Sequence, residues 1–191
     1  MKQAKILTKQ EFKRLLSVVA SNKHAERNRA VVFLSFYAGL RACEIASLRI
    51  HDVLTDDGSI KTQLILESHM TKGSERQRVM LNMVLRRELK RYVDAICYDY
   101  SKNDAFIQSQ KGDAFSPLTI TQLFARLYKL AGISGASSHS GRRQFITNLS
   151  DKGVSVRVIQ ALARHRHLNT TQRYIDITDT KLEKAVEVID I

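Results

Sequence analysis

The sequence predicts a mainly α-helical fold with one small antiparallel β-sheet. Apolar residues recur at helical spacing through most of the chain, as in Phe12, Leu15, Leu16 and Val19. A single region, 62–81, alternates instead and is split by turn residues, as paired strands are. Capping residues stand where the periodic stretches begin and end.

Thr8 and Glu11 make a capping box, whose side chains can satisfy the free amides at the start of a first helix. A second helix covers 25–38, rich in Val31, Val32, Leu34, Phe36 and Tyr37, and Gly39 suits the left-handed residue that ends it. A short helix starts near Arg41 and carries Ile45 and Leu48. Asp56, Asp57 and Gly58 form a turn, and the stretches 62–67 and 76–81 read as strands joined through Thr71, Lys72, Gly73 and Ser74. Asn82 can cap a long helix with the apolar stripe Leu85, Leu89, Val93 and Ile96. A loop at 101–104, an extended piece at 105–107 and a turn at 111–113 follow. Pro117, the only proline, stands just before a helix that carries Leu123, Leu127 and Leu130 and ends at Gly132. Small and polar residues make a loop of 133–138. Helices are expected at 139–152, ending at Gly153, and at 155–163. A basic turn from Arg164 to His167 leads to a short helix holding Tyr174. A last amphipathic helix at 181–189 has Leu182, Val186 and Ile189 on one side.

The 191 residues read as one domain, 1–191, with no internal linker and enough length for a sound core. An apolar fraction of 43% is ordinary, but 31 Lys and Arg against 19 Asp and Glu leave a net charge of +12. That excess points to a polyanion, most simply nucleic acid; good solubility or a ribosomal or membrane-surface habit shares the signal. The longest apolar stretch, 30–40, is too short to span a bilayer, and the start has no secretory core. Cys43 and Cys97 are the only cysteines, expected as buried free thiols in a reducing cytosol.

The chemistry-bearing candidates are two guanidiniums, two imidazoles, an ammonium and a phenol: Arg41 and Arg142, His139 and His165, Lys72 and Tyr174. Each has a plainer reading. Arg41 alone is a surface arginine at a helix start, and Glu44 one turn on makes either a surface ion pair or a carboxylate that holds the arginine in place. His139 and Arg142 lie near a helix start, where free amides favour an anion, though such a pair is common by chance. His139, His165 and His167 offer zinc ligands, but no cysteine or acid stands near them in sequence and Arg164 and Arg166 repel a cation. Lys72 is either a solvated turn lysine or an ammonium delivered to a leaving oxygen from a hairpin tip. Tyr174 follows the polar, basic run Thr170 to Arg173, and a phenol of pKa about 10 needs cationic neighbours to act as a nucleophile. No Walker loop, Gly-x-Ser-x-Gly elbow, Cys-x-x-Cys pair or two-metal carboxylate cluster is present. Together these groups suit tyrosine attack on a phosphodiester without a metal.

The order Arg41, Lys72, His139-x-x-Arg142, His165, Tyr174 resembles the catalytic domain of the tyrosine recombinases, the phage-integrase family. Residues 37–48 (YAGLRACEIASL) resemble its first arginine motif, 71–79 (TKGSERQRV) its lysine hairpin, and 138–174 its second motif. The resemblance implies the tyrosine-recombinase catalytic fold and site-specific cleavage and rejoining of double-stranded DNA. It implies that Tyr174 attacks the phosphate and is joined to a 3′ end, and that Arg41 and Arg142 clamp the non-bridging oxygens. His139 and His165 would add hydrogen bonds and handle protons, Lys72 would protonate the departing 5′ oxygen, and Glu44 would support the site. No cofactor is implied, because the phosphotyrosine conserves the bond energy. Gly141 and Arg143 stand where the family usually has leucine and histidine, and Arg164 where it usually has glycine. The pattern begins near Met1, so an N-terminal core-binding domain is expected to be absent. Self-assembly on DNA through the final helix and a cytoplasmic, nucleoid-associated location are further implications. A type IB topoisomerase, generally with lysine at the place of His139, and a non-catalytic DNA-binding regulator are the rival readings.

Overall fold

The computed structural model describes residues 3–71, 75–96, 100–110, 112–175, 182, 183, 186 and 187. The chain folds as two compact units, Met1–Phe145 and Ile146–Ile191.

In the first unit, α1 (Lys9–Ala20) opens on the expected capping box: Glu11 N–H donates to Thr8 Oγ1 at 3.1 Å, and Thr8 N–H donates to Glu11 Oε2 at 2.9 Å. Helix α2 (Ala25–Ala38) is apolar nearly all round and packs against α1, α3 and α5. Val31, Val32 and Leu34 are fully buried, each contributing about 1.5–3 kcal/mol. Gly39 ends α2 with φ 61°, a conformation that costs a glycine nothing. An added Cβ there would lie 2.7 Å from the Phe145 ring, so the position also admits no side chain.

Short helices α3 (Ala42–Ser47) and α4 (Ile50–Val53) follow, then the turn at 56–58 closed by a bridge between Leu54 and Ile60. Strands β1 (Gln63–Leu66) and β2 (Gln77–Met80) pair antiparallel, with Leu64 opposite Val79. Leu64, Leu66 and Val79 face the core, as the period of two requires. A 3₁₀ turn, Ser68–Met70, stands between the strands; three residues carry too little periodicity for the sequence to announce it.

Asn82 caps α5 (Met83–Ile96) by accepting from Leu85 N–H at 2.8 Å. Ala105 bridges Arg49, the expected extended piece. Ser116 caps α6 (Pro117–Leu130), so Pro117 is the first residue of the helix rather than its predecessor; proline's missing N–H is harmless there. Helix α7 (Ser140–Asp151) begins one residue later than expected. The second unit adds α8 (Val156–Ala163) packed on α9 (Leu168–Gln172). Of the helix expected at 181–189, Leu182, Glu183 and Val186 are helical and the rest lies outside the described residues, Glu187 apart. Cys43 is a free thiol but only half-buried, because it sits on the first turn of α3; Cys97 lies outside the described residues.

Arg29 on α2 donates to Glu88 on α5 through Nε at 2.5 Å and Nη2 at 2.9 Å. That fork holds the Glu88 carboxyl below its ordinary value, with the Arg29 hydrogen bond as the main cause. A depressed carboxyl stabilises the fold above its unfolded pKa and loses that contribution as pH falls through the folded one. Glu88→Gln is therefore expected to cost about 3 kcal/mol at pH 7 in urea unfolding. The gap to the parent should narrow steadily below about pH 4.5.

Candidate active site

The turn between α2 and α3 carries the first arginine. Leu40 is fully buried and anchors the turn, which leaves Arg41 as the residue capping α3. Glu44, with no exposed surface, accepts from Arg41 N–H at 2.9 Å and from Arg41 Nη1 at 2.5 Å. A buried carboxylate without a cation would be costly. Glu44 therefore fixes Arg41 twice, by its backbone and by its side chain, while a quarter of the arginine side chain stays exposed.

The second arginine reaches the same turn from α7. Arg142 is buried and donates through Nη1 to Gly39 O at 2.7 Å. Gly141 permits this approach: a Cβ there would overlap the Ser35 hydroxyl and lie 2.8 Å from Phe36 Cδ2, so α7 sits directly on α2. His139 is exposed at the residue before α7, and its carbonyl accepts the Arg143 N–H at 2.9 Å. The outer side of α7 holds the N-terminal segment, through Arg143 Nη1 to Ala4 O at 2.5 Å and Leu7 N–H to Gln144 Oε1 at 2.8 Å.

Lys72, Gly73 and Ser74 lie outside the described residues. The base of their loop is tied: Thr71 Oγ1 donates to Glu75 O at 3.0 Å and accepts from Glu75 N–H at 3.3 Å.

Within the second unit, the His165 and Tyr174 rings stack at 5.8 Å between centroids and 23° between planes. His165 Nδ1 lies 2.9 Å from the hydroxyl of Thr171, which is fully buried, and Gln160 Nε2 donates to His165 O at 3.1 Å. Tyr174 is half-buried and stands just past α9 rather than on it, in a turn where its N–H donates to Thr171 O at 3.0 Å. Five residues of α9 run out before it, because Arg173 already caps the helix.

Arg164 has φ 57° and is the one non-glycine residue with positive φ among the described residues. The glycine usual in the family at this position thus has a backbone reason here. Left-handed geometry costs an L-residue about 1 kcal/mol. Arg164→Gly is expected to exceed Arg164→Ala in stability by about that amount, since both lose the side chain and only one relieves the backbone. Equal melting curves for the two variants would contradict the strain.

Arg41, Glu44 and Arg142 are thus gathered on one turn with His139 heading the same helix as Arg142, and His165 meets Tyr174. Sequence reasoning missed Gly39 O, Thr171 and Gln160 as supports. Each lay inside a motif, but a carbonyl carries no residue signal, and only burial separates Thr171 from Thr170. Among the described residues no group of three His, Cys, Asp or Glu gathers as metal ligands would.

Among solved structures, the chain is similar to a XerA recombinase, with a TM-score of 0.77 at 24% identity over 100% of this chain and 66% of that one. It is also similar to the XerH site-specific recombinase bound to difH substrate, with a TM-score of 0.73 at 25% identity over 98% of this chain and 55% of that one. The fold is that of a tyrosine recombinase catalytic domain. The model of the phage integrase family matches residues 5–181, and the chain belongs to that family. Tyrosine recombinase XerA of Thermococcus kodakarensis is 32% identical over 183 residues, covering 96% of this chain and 62% of the relative. Its namesake from Pyrococcus furiosus is 30% identical over 185 residues, covering 96% and 61%. The chain therefore spans about three-fifths of the length of these relatives.

Proposed function

We propose that this chain is the catalytic part of a site-specific DNA recombinase that cleaves and rejoins duplex DNA through a 3′-phosphotyrosyl intermediate. The observation that carries this proposal is the meeting of Arg41 and Arg142 on the Gly39 turn, in a chain that matches the family model along nearly its whole length.

Tyr174 Oη attacks phosphorus; the Oη–P bond forms and the bond to the 5′ oxygen breaks. The phenol proton leaves to a nearby base, and Lys72 protonates the departing oxygen. Arg41 and Arg142 stabilise charge on the equatorial oxygens, where planar guanidiniums fit two at once. His139 and His165 donate further hydrogen bonds, and Glu44 keeps Arg41 in place. A 5′ hydroxyl from another strand reverses the step, so no external energy source or cofactor enters.

The net charge of +12 supports a duplex DNA partner. Leu182 and Val186, four apart and both exposed, support a docking role for the last segment when several copies assemble on DNA at the nucleoid.

A suicide duplex that loses its 5′ hydroxyl on cleavage tests the activity. A covalent adduct, with DNA ends sequenced from it, is the expected product. Relaxed plasmid without recombinants would instead identify a topoisomerase, and absence of any adduct across candidate sites would defeat strand cleavage altogether.

A further inference from the structure

The start of α2 opens onto a cleft of about 620 Å³ lined by Lys23, His24, Arg27 and Gln110 among others. A hollow of about 400 Å³ shares His24, Arg27 and Gln110 and adds Phe115 and Arg126. Among the described residues the one acid lining either space is Glu26, and it is engaged with Arg91 at 2.8 Å. All of these residues belong to the first unit. Helix α2 has 14 residues, so its two ends lie about 21 Å apart, and the cleft is well removed from the Gly39 turn.

Arg27 and Arg29 show why this cleft is unusual. Arg29 has the Glu88 carboxylate, but Arg27 has no carboxylate among the described residues. Its Nη1 donates to Gln108 O at 3.3 Å, its Nη2 to Asn28 Oδ1 at 3.3 Å, and its guanidinium stacks 4.8 Å from the Phe115 ring centre. Partial burial lowers its pKa, and the nearby Arg126 pushes it the same way. His24 lies 2.7 Å from the Gln110 amide nitrogen, with the imidazole accepting if that nitrogen donates. Burial holds the imidazole below its ordinary value, and Arg27, Lys23 and Arg126 push it the same way. Cations from α6 and from the start of α2 thus gather around one space, where the one acid among the described lining residues, Glu26, is paired with Arg91.

We propose that Lys23, His24, Arg27 and Arg126 form a second oxyanion site that takes a phosphate group, from a DNA backbone remote from the scissile phosphate or from a free phosphate-bearing anion. A phosphate would answer several cations at once, and the arginine fork with an aromatic ring behind it suits a tetrahedral oxyanion. The groups facing His24 are Lys23, Glu26 and Arg27 from the start of α2, Arg126 from α6 and Tyr92 from α5. Since all but Glu26 and Tyr92 are cations, an added anion raises the imidazole's proton affinity, and binding tightens as pH falls. The site does not depend on strand cleavage by Tyr174.

Inorganic pyrophosphate titrated into the isotope-labelled full chain is expected to shift the side-chain resonances of His24 and Gln110. Arg27→Gln should weaken binding about tenfold. Arg126→Gln, an exposed position that leaves folding intact, should weaken it about threefold. A duplex without any recombination site separates the sources. If the backbone is the ligand, Arg126→Gln lowers the salt slope of duplex binding by about one. If pyrophosphate affinity falls while that slope holds, the ligand is a free anion. Resonances unmoved to about 10 mM pyrophosphate together with an unchanged slope overturn the site, as do shifts that neither substitution weakens.

Discussion

Tyr174→Phe is expected to abolish the covalent protein–DNA adduct, by at least about 10⁴-fold, while duplex affinity stays within about threefold. The substitution removes one oxygen and keeps the ring. Phenylalanine can still stack on His165, so the contact at 5.8 Å and the fold of the second unit survive. The candidate cations also remain, since the substitution alters no other side chain. Loss of adduct with retained binding would therefore report the nucleophile rather than folding. Mass spectrometry of the parent adduct should place the phosphate on Tyr174. An adduct that persists in the variant, attached to Tyr37 or Tyr100 for example, would end the assignment.

Gly141→Leu is expected to cost about 3 kcal/mol or more and to lower the cleavage rate beyond what lost folded protein explains. Even a methyl group would overlap Ser35, which is itself fully buried on α2. Neither helix can yield cheaply, because Phe36 stands 2.8 Å away on the same side. A displaced α7 carries Arg142 away from Gly39 O. The double variant Gly141→Ala with Ser35→Ala should recover only part of the stability that Gly141→Ala alone loses, since it removes the overlap with the Ser35 hydroxyl but leaves Phe36 Cδ2 at 2.8 Å and Ser35 Cβ at 2.9 Å. A parent-like melting temperature for Gly141→Leu would show that α7 can stand off α2 without penalty.

Gly141 stands where the family usually has leucine, and nothing in the sequence explains the departure. Packing supplies a reason: α7 lies close to α2 because the side chain is missing. Sequence periodicity located α1, α5 and α6 closely, because each has an apolar stripe and a capping residue, and α2 was legible through its apolar run and the Gly39 that ends it. It placed Tyr174 on a helix that in fact ends at Gln172, since a five-residue helix has no full period to read. The candidate catalytic side chains were legible through the joint motif. Their supports were not, because Gly39 acts through a carbonyl and Thr171 through its burial. The basic cleft at His24 was hidden for a different reason: its members come from positions 23–27 and 126, a pairing only the tertiary fold creates.

The bond from Arg142 to Gly39 O has one more consequence. Gly39 closes the carboxyl end of α2, where the peptide dipoles leave about half a negative charge. Two like-charged forks would repel each other in an empty pocket. Here the helix terminus and Glu44 supply the opposing negative charge, so both forks are ordered in the folded protein. On the proposed function, the entropy of ordering both side chains is then met when the protein folds rather than when a phosphate is bound.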